Sequence, residues 1–361
     1  MEACTRSSGD SVVGRMFNSI LVIQTAFIGD AILTLPLIQV LKKNYLDSSI
    51  DVVVVPRTVD IFSNHPAITN IIPYDKRGKD NGLIGFWRLR NQLRAKNYDL
   101  IVIPHRSIRS ALLAWLLKPN VRIGFDRSAG RLLFTRIVHY DPTDHEIDRN
   151  LSLLSPLSLR INKNELPQLY PSAEDALVVD SVLDSFGLNE ENHIITVAPG
   201  TIWNTKRWHA DRYATMCKQL SSECSAVLLI GGKEDSALCE EIAGMSKAKN
   251  VFNVAGKFSL LQSAELIKRS HVLVSNDRAP MHLAVAVGTP VVAIFGATVP
   301  EYGFAPRGAH DIVIETKGLK CRPCSIHGGK TCPIKTFECM IAITPKLVVN
   351  KVMPFLRKMV V

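Results

Sequence analysis

A chain of 361 residues with 47% apolar and 21% charged residues is too long for one ordinary core and too apolar for disorder, so it reads as two folded domains. The formal charge of +10 is uneven, with 21 Lys/Arg against 14 Asp/Glu in residues 1–160 and 22 against 19 in the remainder. Between Lys76 and Arg136 there are 14 basic residues against Asp80, Asp99 and Asp126 alone. That surplus leaves two readings open, a surface for an anionic partner or a merely solvated face. No stretch is long and apolar enough to span a bilayer, since the run at 283–299 is broken by Gly288 and Pro290. Residues 1–17 form a polar tail, or lie upstream of the true start, and lack the apolar segment of a signal peptide; a cytoplasmic protein is expected.

In chain order, buried parallel strands are predicted at 19–24 (SILVIQ), 50–55 (IDVVVV), 70–73 and 100–103 (LIVI), then shorter ones at 121–124 and 136–140. Helical patterns occupy 31–44 and 83–96, and a helix at 144–157 closes the series. The polar, proline-containing stretch 162–173 reads as a linker. The pattern restarts with strands at 194–198, 226–230, 251–254, 272–275 and 291–295, alternating with helices at 210–220, 236–245, 260–268 and 280–287. Such alternation predicts parallel sheets with helices on both faces. The expected fold is α/β, with Rossmann-like domains at 18–161 and 174–343 facing each other across a cleft and a C-terminal helix at 344–361.

Ligands of open α/β sheets bind beyond the carboxyl ends of the strands, and four unusual segments stand there. Thr25–Asp30 (TAFIGD) is a strand-to-helix turn without the G-x-G-x-x-G fingerprint, which argues against a nicotinamide-dependent oxidoreductase. Its Asp30 has the position of a helix N-cap. Residues 198–208 (APGTIWNTKRW) end a strand and open a helix, and Thr201, Thr205 and Lys206 are the phosphate-binding candidates there. Trp203 and Trp208 read as packing residues. Residues 231–235 (GGKED) allow close backbone approach, with Glu234 able to accept from a ribose diol. In 275–282 (SNDRAPMH), Pro280 suits a first helical turn, Asn276 or Asp277 is the expected cap, and the free N–H groups suit a pyrophosphate. His282 alone would more often be structural than functional, but within this motif it is expected among the donor-binding residues. Together the last three segments make a nucleotide site on the second domain.

In order and spacing these four motifs resemble the ADP-heptose:lipopolysaccharide heptosyltransferases, and the NDRAPMH and WNTKRW segments resemble the heptosyltransferase II branch. The resemblance spans roughly residues 19–353. It implies a GT-B fold, an ADP-sugar donor, inversion at the anomeric carbon and no metal in the chemistry. It makes Asp30 the general base, Thr201 and Lys206 the diphosphate ligands, Glu234 the ribose ligand, and Asp277 the residue that orients heptose and phosphate. Arg278 departs from the family's usual Ser or Thr, and either reaches phosphate bidentately or points away. The implied transfer places L-glycero-D-manno-heptose on the heptosyl-Kdo inner core; the same family also serves other acceptors, Kdo-lipid A or an outer heptose. Arg106 and Arg109, beyond the strand at 100–103, are expected to meet the anionic acceptor. The implied location is peripheral, on the inner face of the inner membrane, with the basic region 76–136 against anionic lipid.

Cys321, Cys324, Cys332 and Cys339 form a C-x2-C-x7-C-x6-C cluster outside the four motifs, and structural zinc or free thiols are both open readings. A basic zinc-containing nucleic-acid binder would account for the charge and the cysteines. It is disfavoured because the chain carries no aromatic-rich platform and no recognition helix.

Overall fold

The computed structural model describes residues 14–162, 164–189 and 191–357. The start of the expected N-terminal tail (1–13) and the end of the expected C-terminal helix (358–361) lie outside the described residues. The first half runs β1 (Ser19–Gln24), α1 (Ile28–Asn44), β2 (Ser49–Val54), α2 (Val59–Phe62), β3 (Asn70–Pro73), α3 (Gly82–Arg94), β4 (Leu100–Ile103), α4 (Ile108–Leu117), β5 (Val121–Phe125), β6 (Arg136–Val138) and α5 (Glu146–Ser152). The second runs α6 (Ala173–Asp184), β7 (Ile194–Ala198), α7 (Ala210–Leu220), β8 (Ala226–Leu229), α8 (Ser236–Ser246) and β9 (Val251–Asn253). It continues with α9 (Leu260–Lys268), β10 (Val272–Asn276), α10 (Ala279–Val287), β11 (Val291–Phe295), β12 (Ile312–Glu315), α11 (Glu338–Ile341) and α12 (Pro345–Arg357).

Each half builds a six-stranded parallel sheet, in the orders β3-β2-β1-β4-β5-β6 and β12-β11-β10-β7-β8-β9. Both orders reverse between the central pair, β1/β4 in one and β7/β10 in the other. Loops leaving these strands diverge there and open a crevice. Two such Rossmann-like sheets make the GT-B architecture. The TAFIGD turn leaves β1, APGTIW leaves β7 and NDRAPMH leaves β10, so three of the four motifs sit at the two switch points.

Two layers cover the first sheet. Phe86, Leu89 and Leu93 of α3 join Ala111, Leu113 and Ala114 of α4 over one face. Over the other face α1 is buried along 31–41, because α5 and α10 of the second half pack against it. One apolar cluster therefore runs from Ile20 and Leu35 through Met281 and Leu283 to Phe295, joining the halves. A helix with no solvated side has no need of amphipathicity, and the sequence of α1 shows little. The opposite face of the second sheet is covered by α7, α8 and α12 around Trp208, Tyr213 and Val352.

Some expected boundaries move. Helix α1 begins three residues earlier than periodicity suggested, which puts Asp30 inside its first turn. The single helix expected at 144–157 is α5 followed by a separate 3-10 turn at Ser155–Leu157, since Pro156 has no N–H to continue an α-helical ladder. Among the described residues no helix is long and apolar enough to cross a membrane.

Trp208 is fully buried, edge-on to Tyr213 at 4.9 Å between centroids, and its indole N–H donates to the Ile343 carbonyl at 3.0 Å. Trp208→Ala is expected to cost about 3–5 kcal/mol in urea unfolding, the scale for deleting a large buried aromatic; a loss below about 1 kcal/mol would mean that this core does not depend on it.

Candidate active site

Asn276, the last residue of β10, is fully buried and fixes the loop leaving β7. Its Nδ2 donates to the Pro199 carbonyl at 2.8 Å, and its Oδ1 accepts from the Trp208 N–H at 3.1 Å. One side chain thus clips both ends of 199–208. The expectation that Asn276 or Asp277 caps the next helix is therefore wrong. Arg278 holds the N-cap position of α10 and no side chain caps it. Asp277 instead pairs with the Lys206 ammonium and accepts from the Thr298 hydroxyl at 2.7 Å.

The third motif is tied to the fourth by Arg278. Its Nη1 donates to Asp235 Oδ2 at 2.7 Å and its Nη2 to Glu234 Oε1 at 3.3 Å. The guanidinium thus turns onto the carboxylates of the GGKED loop, and a Cβ at Gly200 would collide with the Asp235 carboxylate. Glu234 is otherwise largely exposed. The Thr201 hydroxyl donates to the Trp203 carbonyl at 2.6 Å, which tightens the loop on itself.

The cysteine-rich segment, expected to lie apart from these motifs, folds over them. Thr205 donates its N–H to the Gly329 carbonyl at 3.0 Å and accepts from the Gly329 N–H at 2.7 Å. A Cβ at Gly328 would stand 2.8 Å from Lys206 Cγ, so glycine allows the close approach. Arg322, nearly buried, anchors the segment by donating to the carbonyls of Gly296 (2.5 Å), Thr316 (2.9 Å) and Thr298 (2.8 Å), and it pairs with Glu315 at 2.7 Å. Thr298 in turn orients Asp277, so a continuous chain runs from Arg322 to Lys206.

On the first domain, Asp30 is the third residue of α1 rather than its cap, and its Oδ2 accepts from the Phe27 N–H at 3.2 Å. Burial raises its pKa, opposed by that backbone hydrogen bond and by the positive neighbours His327 and Arg106. His327 belongs to the cysteine-rich segment, so that segment of the second domain comes near enough to act electrostatically on Asp30. Arg106 lies over the Tyr140 ring at 4.3 Å, beside Arg149 at 4.6 Å. Arg149 pairs with Glu146, whose carboxyl is pushed up to about 7 by burial, against the pull of Arg149 and with Asp30 adding to the rise. The domains meet at this point: a Cβ on Gly29 would stand 3.3 Å from His282 Cδ2. His282 is buried and pushed down to about 4 by desolvation, and hence neutral, with the charges of Asp277 and Lys206 acting on it in opposite directions. It touches the first motif at Gly29 and lies within electrostatic reach of the Lys206–Asp277 pair.

Beside Asp30 a cavity of about 330 Å³ opens between Thr25, Phe27, Arg57, Lys76, Arg77 and His105. Lys76 Nζ donates to the Thr25 carbonyl at 2.8 Å, and its pKa is lowered by burial and by Arg77, Arg109 and Arg57. Arg109 sits near Lys76, its Nη1 3.5 Å from the Tyr74 hydroxyl, whereas Arg106 lies over the Tyr140 ring. The two arginines expected together thus lie in different surroundings, Arg106 over the Tyr140 ring and Arg109 beside Tyr74. Arg57, Lys76, Arg77, Glu146, Thr298 and Arg322 escaped sequence reading. The first three follow strand ends and were readable from position; the others depend on tertiary approach.

The profile of glycosyltransferase family 9 (heptosyltransferase) matches residues 86–335. The chain is 32% identical over 280 residues to lipopolysaccharide heptosyltransferase 3 of Escherichia coli, covering 75% of this chain and 82% of that protein. A glycosyl transferase family 9 structure from Veillonella parvula superposes with a TM-score of 0.86 at 25% identity, over 94% of this chain and 97% of that one. The ADP-heptose lps heptosyltransferase II of E. coli follows at 0.76 and 26%, over 94% and 98%. With the profile spanning most of the chain and three of the four motifs at the facing switch points, the protein belongs to glycosyltransferase family 9, the heptosyltransferases, and is a glycosyltransferase.

Proposed function

We propose that this heptosyltransferase moves L-glycero-D-manno-heptose from ADP-heptose to the heptosyl-Kdo inner core of lipopolysaccharide, with inversion at the anomeric carbon. The carrying observation is the placement of a buried carboxyl of raised pKa, Asp30, where Gly29 rests on His282 and so adjoins the Lys206–Asp277 pair. In this reading Asp30 takes the proton of the acceptor hydroxyl as its oxygen bonds to the anomeric carbon. The bond from that carbon to the ADP oxygen breaks, and charge grows on the diphosphate. Lys206, the uncapped first turn of α10 and the hydroxyls of Thr201 and Thr205 oppose that charge. Glu234 receives the ribose, and Arg278 leaves its two carboxylate partners for a phosphate or holds the GGKED loop in place. Asp277 orients the donor through Lys206, and neutral His282 supports both. Arg106 and Arg109, with Lys76 and Arg57, meet the acidic acceptor. Kdo-lipid A or an outer heptose are the alternative acceptors within the same chemistry.

The proposed setting is the inner face of the inner membrane, where a lipid-anchored acceptor is within reach of a protein that docks through its basic first domain. Nothing in the reading calls on nucleic acid or on a metal for the transfer.

The cysteine cluster is proposed to hold a structural zinc. In support, the described cysteines are free, and the thiols of Cys321, Cys324, Cys332 and Cys339 lie near enough to act on one another's ionisation, although burial raises the pKa of Cys324 and Cys339 while they are unliganded. Slight burial of Cys332 is outweighed by backbone N–H groups from Phe337, Ile334, Thr336 and Lys335, which lower its pKa toward the thiolate a metal requires. The donor chemistry fits, although among the described residues no three such groups are set as a closed site.

Three measurements test these roles. Asp30→Asn is expected to lose on the order of 10²–10⁴ in turnover with ADP-heptose affinity little changed, the range for a removed general base. Because the base works deprotonated, activity should rise with pH through the raised Asp30 pKa; Arg106→Ala removes a charge that lowers this pKa and should move the acid limb to higher pH. Near-normal turnover in the Asn variant, or a limb that moves down, sinks the base role.

Lys206→Ala should weaken ADP binding by roughly 1.5–3 kcal/mol in calorimetry, the scale of a charge-assisted hydrogen bond. Unchanged ADP affinity would place the diphosphate elsewhere.

Protein purified without chelator should carry about one zinc per chain by elemental analysis, and chelation should loosen 317–341. Absence of metal with freely titrating thiols dismisses the zinc.

A further inference from the structure

Helices α3 and α4 lie side by side on the outer face of the first sheet, turned away from the second domain. Their inward positions fill the core beneath, and among the described residues no element covers their outward side. That side is not simply basic. On α3 it carries Leu83, Ile84 and Trp87, spaced one and three residues apart along one helical stripe. On α4 it carries Ile108 and Trp115, seven apart, and Leu132 projects from the turn against α4. Leu83, Ile84 and Leu132 are 77%, 78% and 87% exposed, and the others are about half exposed. Apolar residues grouped in one layer, rather than scattered singly, mark an interaction surface.

The charge around this group has one sign. Of the 14 basic and 3 acidic residues between Lys76 and Arg136, each acid is engaged within the fold. Asp80 accepts from the Asp75 N–H at 3.0 Å and from Arg88, Asp99 from the N–H groups of Asn18 and Ser19, and Asp126 from the Tyr140 N–H and His139. Arg88 and Arg94 are exposed on α3, Lys118 at the end of α4 and Arg131 in the turn against it, and Arg90 lies 5.6 Å from the Trp87 ring centroid. Apolar side chains and tryptophan among exposed basic residues match the boundary of an anionic bilayer, where indoles sit at headgroup level and guanidinium groups meet lipid phosphates.

The position in the fold matches as well. Helices of a parallel α/β sheet begin at the carboxyl ends of the strands they follow. Leu83, Ile84 and Ile108 are therefore in first turns, level with Arg106 and the basic pocket beside Asp30.

We propose that the outer face of the α3–α4 layer is a membrane-docking surface that sinks Leu83, Ile84 and Trp87, flanked by Ile108 and Trp115, into the interfacial region of an anionic bilayer. The inference rests on the proposed function for a lipid-anchored acceptor, and it deepens the electrostatic docking expected from the sequence by adding an apolar anchor. A lipid-borne acceptor would then present its sugar to Asp30 without leaving the bilayer.

The test uses the full chain and vesicles of equal parts phosphatidylcholine and phosphatidylglycerol. Tryptophan emission should shift to the blue on binding and be quenched by lipids brominated near the headgroup. Leu83→Ser/Ile84→Ser should weaken vesicle binding at least about tenfold, since each side chain loses its transfer out of water. Arg88→Gln/Arg94→Gln should weaken binding mainly at low salt, because charge is screened at ~0.5 M while apolar transfer is not. Transfer to a short delipidated acceptor should be unchanged in both variants. Vesicle binding that ignores Leu83→Ser/Ile84→Ser, or absent bromine quenching, overturns the proposal. So does a chain that self-associates through this face in sedimentation and ignores vesicles, since the occupant is then a second copy. Loss of transfer by the unaltered chain on every acceptor would count against the proposed function and leave the docking result intact.

Discussion

The approach of Gly29 to His282 is the contact on which the rest of the site depends. Any side chain at position 29 would press on the buried imidazole, which would have to give by a few tenths of an ångström. Because there is none, the first turn of α1 rests on the first turn of α10, and two switch points, each in its own sheet, face one another at van der Waals distance. The burial that raises the Asp30 pKa follows from this contact. So does the proximity of Asp30 to His327 and, through His282, to Lys206. An apolar core shared between the halves, with α1 at its centre, keeps the contact in place. In this structure the turn that carries Asp30 therefore packs against the helix that carries His282.

The donor side is held by a different device, a set of polar side chains each serving two segments. Asn276 clips the loop after β7 at both ends, Arg278 joins the last two motifs, and Arg322 carries the cysteine-rich segment against the β11 loop. The segment returns contact through Gly328 and Gly329 to Lys206 and Thr205. Lys206 is therefore held by Asp277 on one side and packed against Gly328 of the cysteine-rich segment on the other. This brings the cysteine-rich segment against the phosphate candidates although no thiol belongs to the four motifs.

The sheets were legible in the sequence because β-branched runs such as SILVIQ and IDVVVV have one comfortable use, a strand buried on both faces. Motif positions were legible for the same reason, since each follows such a run. What failed was local reading where tertiary contacts override it. Asn276 and Asp277 satisfy every local rule for a helix cap, yet a loop nearly seventy residues away in sequence claims the first and Lys206 the second. Asp30 looked like a cap and is instead in the first turn, since Phe27 already holds that position. Glu146 and Arg322 had no sequence signal at all: their roles arise from burial against partners that only the fold brings near. Arg278 looked anomalous beside its family and acquires a reason only when Asp235 is seen beneath it.

The central claim is that the facing switch points form one site for transfer of heptose from ADP-heptose to a lipopolysaccharide core. It is tested most directly by incubating the protein with ADP-heptose and a panel of truncated core acceptors and reading the products by mass spectrometry. The account predicts the gain of a single heptose on the heptosyl-Kdo acceptor, release of ADP, and an anomeric configuration in the product opposite to that of the donor. Absence of heptose transfer to any core acceptor, or a product that retains the donor's configuration, would contradict it.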